Sequence, residues 1–193
     1  LLPALMTSGV ASAAPVTERR ITLSSSAVSA ASTTYAVSFK PATSTGNAAD
    51  DIKGIVVDFC TSPLIGTACT NPTGMSGIAT SGTFAVTHSG ATGSPVNFTA
   101  QNPGGGEDRL ILTDSTGLDV ITTSNTISFS FTATNPSTLG SFYARILTYN
   151  STAGATSYAP GTPGTHLDDG GVALSTANQL TVSARVQEQL QFC

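Results

Sequence analysis

Few residues in this chain could do chemistry, and their spacing narrows what that chemistry would be. Cys60 and Cys69 enclose eight residues, Thr61 to Ala68, with Pro63 and Gly66 among them. A turn-prone loop between two cysteines favours a local disulfide in an oxidising compartment. Two thiols without a nearby histidine or further cysteine make a poor zinc site. Cys193 is left over. It is expected to pair between chains or with a cysteine beyond this sequence, as in a fragment of a longer polypeptide.

The two histidines, His88 and His166, are the available general bases. Nucleophilic hydrolysis needs a nucleophile, a base and an orienting acid. No Gly-x-Ser-x-Gly elbow stands between a strand and a helix, so both histidines read as surface loop residues. Glu107, Asp108 and Asp114 are close enough in sequence to suggest a carboxylate pair. Trp is absent and there are only four Tyr, however, so no aromatic platform for a sugar ring accompanies them. Asp50-Asp51 and Asp168-Asp169-Gly170 are loop carboxylates of the kind that bind Ca²⁺, yet they lack EF-hand spacing and read as turn residues. Asn97-Phe98-Thr99 and Asn150-Ser151-Thr152 match the N-glycosylation acceptor, with Asn150 the better placed in a loop. Lys40 and Lys53 could form isopeptide bonds to an Asn, as in some pilins. Gly104-Gly105-Gly106 lacks the Lys-Ser/Thr of a phosphate loop. No catalytic residue, cofactor or metal is assigned.

The elements that must position these residues are strands. Only 9% of the residues are charged, and 55 of the 193 positions are Ser or Thr. Such a chain can fail to fold. Here net charge is only −4, and the apolar residues alternate with hydroxyl residues at period two. Strands are expected at 16–23, 35–39, 52–59, 83–88, 96–100, 109–113, 126–133, 142–149 and 179–192. The run Ile55-Val56-Val57 is apolar on both faces and belongs in the middle of a sheet. One short helix is expected at 135–140. The connectors are rich in Gly, Pro, Asn and Ser. The fold class is therefore all-β, a single antiparallel β-sandwich of Ig-like or jelly-roll type.

Seven scattered basic residues make no nucleic-acid patch, and no apolar stretch is long enough to span a bilayer. Residues 1–13 end in Ala11-Ser12-Ala13, a small-x-small cleavage site. They read as a signal-peptide remnant or, if retained, as an N-terminal assembly arm carrying Leu2, Leu5 and Val10. Residues 14–193 form the sandwich domain, truncated at its C-terminal side. In its last strand Leu180, Val182, Val186, Leu190 and Phe192 share one face, and a strand of that length can pair with another subunit.

The stretches Arg20–Ser26 and Ile55–Pro63, with Cys69-Thr70 and Pro72-Thr73-Gly74-Met75-Ser76, resemble secreted Thr/Ser-rich surface proteins of ultra-small, candidate-phyla-radiation bacteria. The resemblance covers about residues 15–193 and rests most on the Phe-Cys-Thr…Cys-Thr…Pro-Thr-Gly pattern. It implies export and surface display, with no enzymatic activity. In style the chain is also similar to fibre and pilus subunits of bacteria. The resulting expectation is a structural subunit of an extracellular fibre or cell-surface assembly, polymerising by β-strand addition. Its partner would be itself, or a host or neighbouring cell surface. A monomeric adhesin with binding loops at 102–108 or 160–171 is the alternative, and a secreted hydrolase is the weakest reading. Sheets of soluble monomers usually guard their edges with Lys and Glu. A chain this poor in charge either hides its edges or uses them.

Overall fold

Period-two alternation becomes a layered core. In the computed structural model, residues 13–45, 51–89, 95–101, 108–118 and 121–178 are described. Ten strands and one short helix follow in chain order: β1 (Ala14–Pro15), β2 (Thr17–Leu23), β3 (Thr33–Lys40), β4 (Ile52–Cys60), β5 (Thr83–His88), β6 (Val96–Gln101), β7 (Arg109–Leu118), β8 (Ile127–Ala133), β9 (Gly140–Tyr149), α1 (Thr152–Thr156) and β10 (Asp168–Thr176). In β8, Ile127, Phe129, Phe131 and Ala133 are buried, while Ser128, Ser130 and Thr132 face outward. Tyr35, Val37 and Phe39 of β3 do the same opposite them. Tyr35 stacks on Phe131 at 5.4 Å and meets Phe59 edge-on at 5.5 Å, which ties β3, β8 and β4 into one core.

The all-β expectation holds. The strands form one ten-stranded sheet in the order β1-β10-β9-β4-β7-β6-β5-β8-β3-β2. It is curled nearly into a barrel. All its strand pairs are antiparallel except β1–β10, which is parallel. The two strands at the ends of this order are consecutive in sequence, separated by Val16 alone. Segment 14–28 therefore lies along both margins of the sheet. Val16 N donates to Asp169 O at 2.7 Å, and Ala177 N to Ser26 O at 2.8 Å. Between these points Arg19 Nε donates to Gly171 O at 2.7 Å and Arg19 Nη1 to Val16 O at 2.6 Å. A register shift between Thr17 and Arg20, with Glu18 at φ 44°, swings β2 from β10 toward β3. Side chain and bulge close the seam where a backbone ladder does not.

Two elements differ from the sequence expectation. The helix falls at α1, not at 135–140. Asn135 is fully buried, with Nδ2 donating to Ser25 O and Ala27 O and Oδ1 accepting from Tyr35 Oη. That holds its segment extended, while Ser151 caps α1 by accepting from Gly154 N at 3.0 Å. Strand β10 arises where Asp168-Asp169-Gly170-Gly171 reads as a turn. A Cβ on Gly170 would lie 2.5 Å from Val16 Cγ2, so the absent side chain is what lets β1 lie alongside. The strand expected at 179–192, with Leu180, Val182, Val186, Leu190 and Phe192, lies outside the described residues, as do Leu2, Leu5 and Val10.

Candidate functional site

The polar chemistry gathers on the outer face of β9, β4 and β7. Each of these strands has an apolar run and carries a charged residue at one shared level. Asp58 is directly opposite Arg145 on one side and Arg109 on the other. Asp58 and Arg145 are fully buried. The cover consists of α1, the segment after it, and the loop 61–68. Ala155, Tyr158 and Tyr149 pack with Val56, Ile111 and Leu147 in a second apolar cluster outside the main core. That is why Ile55-Val56-Val57 is apolar without alternation: both faces of β4 are covered. Gly54 permits the approach, since a Cβ there would lie 2.3 Å from the Ala155 Cβ.

Cys60 and Cys69 form the expected disulfide, with Cα atoms 5.2 Å apart. The loop it closes turns its acceptors onto Arg145. Arg145 Nε donates to Ser62 O at 3.0 Å, one Nη to Thr67 O at 3.0 Å, and the other to Thr67 Oγ1 at 3.3 Å. Asp58 Oδ2 accepts from Tyr158 Oη at 2.7 Å and lies 3.2 Å from Cys60 Sγ. Asp58 Oδ1 is 3.7 Å from Arg109 Nε, and the Arg109 guanidinium sits 5.6 Å from the Tyr158 ring centre. Burial pushes the Asp58 carboxyl above its ordinary value, against the Tyr158 hydrogen bond and the Arg109 charge, which pull it down. Burial also drives the Tyr158 phenol well above its usual range, with the Asp58 charge adding to the effect. Asp58 and Arg145 at its centre are closed to solvent, so its chemistry is that of a clamp. It binds the disulfide loop and the α1 cover to the sheet.

The residues singled out in sequence go elsewhere. His88 is buried at the end of β5, 3% exposed, not on the surface. His166 is half-buried, with Nε2 2.9 Å from Asp169 Oδ2 and Nδ1 2.9 Å from Gly164 O. Asp168 is fully buried and spends its carboxylate on the β3–β4 connector, accepting from Ala42 N, Thr43 N and Thr43 Oγ1. The pair Asp168-Asp169 is thus committed to two different protein partners. Asp50 and Glu107 lie outside the described residues. Asp108 is buried, whereas Asp114 bonds Thr116 N and Gly117 N within a local turn. Six residues of extended chain put these two carboxylates roughly 20 Å apart, too far for a glycosidase pair. Lys40 is ion-paired with Glu18 at 2.6 Å. Asn97 and Asn150 are both exposed. The chain matches no protein-family model, and no curated protein sequence is significantly similar to it.

Sequence reasoning missed Asp58, Arg109, Arg145 and Tyr158. The signal was a lone charge in an apolar strand, as in Val57-Asp58-Phe59 and Ala144-Arg145-Ile146. Such a charge can be buried only against a partner on a neighbouring strand.

Proposed function

We propose that this protein is a structural subunit of an extracellular fibre or cell-surface assembly, joined to its neighbours by β-strand addition. The observation that carries the reading is the path of the chain through the sheet. The segment that enters pairs in parallel with the strand that leaves: Ala14 lies against Asp168, and Ala27 against Ala177. Entry and exit are therefore at opposite ends of β10, about 30 Å apart for nine residue steps. The described chain thus enters and leaves the sheet at opposite poles, which suits a head-to-tail assembly.

The acceptor in this reading is the β2–β10 seam. Its midpoint is held by the Arg19 side chain, and exchange for a neighbour's strand there would replace one side-chain contact with a ladder. The donor is the 179–192 segment, whose Leu180, Val182, Val186, Leu190 and Phe192 supply an alternating apolar face. An N-terminal arm bearing Leu2, Leu5 and Val10 is the other donor. The disulfide and the hydroxyl-rich surface agree with an oxidising, extracellular setting. No described helix is long and apolar enough to cross a membrane. The two halves of the curled sheet facing one core are read as a sandwich of Ig-like or jelly-roll type, and the resemblance to surface proteins of candidate-phyla-radiation bacteria belongs to the same proposal.

Electron microscopy and light scattering of the full chain test it. Polymers are expected, and V186D/L190D should yield monomers with an unchanged melting temperature. Monodisperse native material, or polymers indifferent to both substitutions and to loss of residues 1–13, would overturn it.

A further inference from the structure

Apart from the seam, the outer face of β2, β3, β8 and β5 is where small hydroxyl side chains gather. A trough of about 360 Å³ runs across it, lined by the side chains of Arg20, Thr22, Ser38, Thr87, Ser128 and Ser130 above a floor that includes Ala36 and Ala85. The strand registers explain its shape. Arg20, Ser38, Ser128 and Thr87 form one cross-strand row, and Thr22, Ala36 and Ser130 form the next. Small side chains across the middle leave the sheet surface low. The volume is within the range that small ligands occupy.

The lining also defines the ligand. Five hydroxyls line the trough; Thr87 Oγ1 donates to Ser128 O at 3.0 Å and Ser128 Oγ to Ser38 Oγ at 3.4 Å, so these meet a ligand as acceptors, and no acidic side chain stands in the wall. Its one charge is Arg20. Among the described residues, the other cations are committed: Arg19 to Gly171 and Val16, Lys40 to Glu18, Arg109 to Asp58, and Arg145 to the disulfide loop. Lys53 also has a partner. Arg20 has none among the described residues, in a chain of net charge −4. A free guanidinium beside a row of hydroxyls matches a ligand that carries a carboxylate next to hydroxyl groups.

We propose that this trough binds an acidic saccharide of the uronic-acid class, with the sugar carboxylate on Arg20 and its hydroxyls on Ser38, Ser128, Ser130 and Thr87. Without an aromatic platform the site reads charge and hydroxyl pattern, not the ring face. Binding is consequently weak for one sugar unit and gains strength when many copies are displayed together.

The test is an amide-resolved NMR titration of the full chain with a glucuronate-containing oligosaccharide, its neutral glucose counterpart, and inorganic phosphate. Shifts at 36–38, 85–87 and 128–130 are expected with the acidic sugar and not with the neutral one. R20Q should weaken binding at least tenfold without moving the melting temperature, because Arg20 holds nothing in the fold. S130L, which fills the trough from an exposed position, should also abolish it. Three outcomes would overturn the proposal: no shifts in the trough, equal response to the neutral sugar, or phosphate reproducing the whole effect. Polymerisation is read separately by light scattering, so failure here leaves the assembly reading standing, and the reverse.

Discussion

Replacing Arg145 with Met tests whether the disulfide loop and the buried charge form one mechanical unit. Arg145 is fully buried and donates to Ser62 O, Thr67 O and Thr67 Oγ1. Met keeps most of the side-chain volume but strands these acceptors and leaves Asp58 with only Arg109 as a cation across the strands. Breaking a buried charge network by removing one partner costs about 3–5 kcal/mol. For a domain of this size each kcal/mol lowers the melting temperature by about 2–4 °C, so R145M should melt about 6–20 °C lower. The disulfide, at a sequence separation of 9, contributes about 2.6 kcal/mol by loop closure alone. If it also holds the Arg145 acceptors, C60S/C69S should cost more than that figure. R145M in the C60S/C69S background should then cost only about 1–2 kcal/mol, because the loop has already let go. Urea unfolding of the wild type, R145M, C60S/C69S and the combination gives the coupling. A loss below about 1 kcal/mol for R145M, or additivity within about 0.5 kcal/mol, would refute the clamp.

Other outcomes follow from the same geometry. The Asp58 carboxyl titrates above its ordinary value in the folded state, so between the ordinary and the raised value the folded protein holds a proton that the unfolded chain releases. Stability should therefore fall as pH rises from the ordinary carboxylate value through the raised one. D58N should flatten that slope in urea midpoints measured across the range, and an unchanged slope would remove Asp58 as its source. The Tyr35 phenol is pushed up to about 12 by burial. Stability should be lost above the ordinary tyrosine value near 10, with Tyr35 ionising late in an ultraviolet titration and Y35F lacking that step. N135A removes the acceptor for Tyr35 and the donors to Ser25 O and Ala27 O, for an expected loss of about 3 kcal/mol by urea unfolding. A loss under about 1 kcal/mol would show that water replaces the amide. G54V forces α1 off β4, since even a Cβ would meet Ala155 at 2.3 Å. It should cost about 1–3 kcal/mol and expose the α1 cover to proteolysis at residues 151–167, while a wild-type digestion pattern would contradict that packing.

Eight strands and the disulfide were legible in the sequence. Alternation such as Ile127-Ser128-Phe129-Ser130-Phe131 encodes one buried face by local periodicity alone, and a nine-residue separation of cysteines encodes a local staple. What local reading could not supply was which strand lies beside which. Asp58, Arg109 and Arg145 are far apart in the chain, and only the β9-β4-β7 adjacency makes them a cluster. Asp168-Asp169-Gly170 has turn chemistry by itself, and becomes β10 because β9 and segment 14–16 supply partners on both sides. The scarcity of charge in the chain as a whole left two meanings open, hidden edges or used ones. The sequence by itself determined an all-β chain with hydroxyl-covered faces and one short covalent loop. Only the tertiary structure decided that segment 14–28 lies along both margins. Edge pairing depends on contacts between residues some 150 positions apart, and no local pattern carries that information.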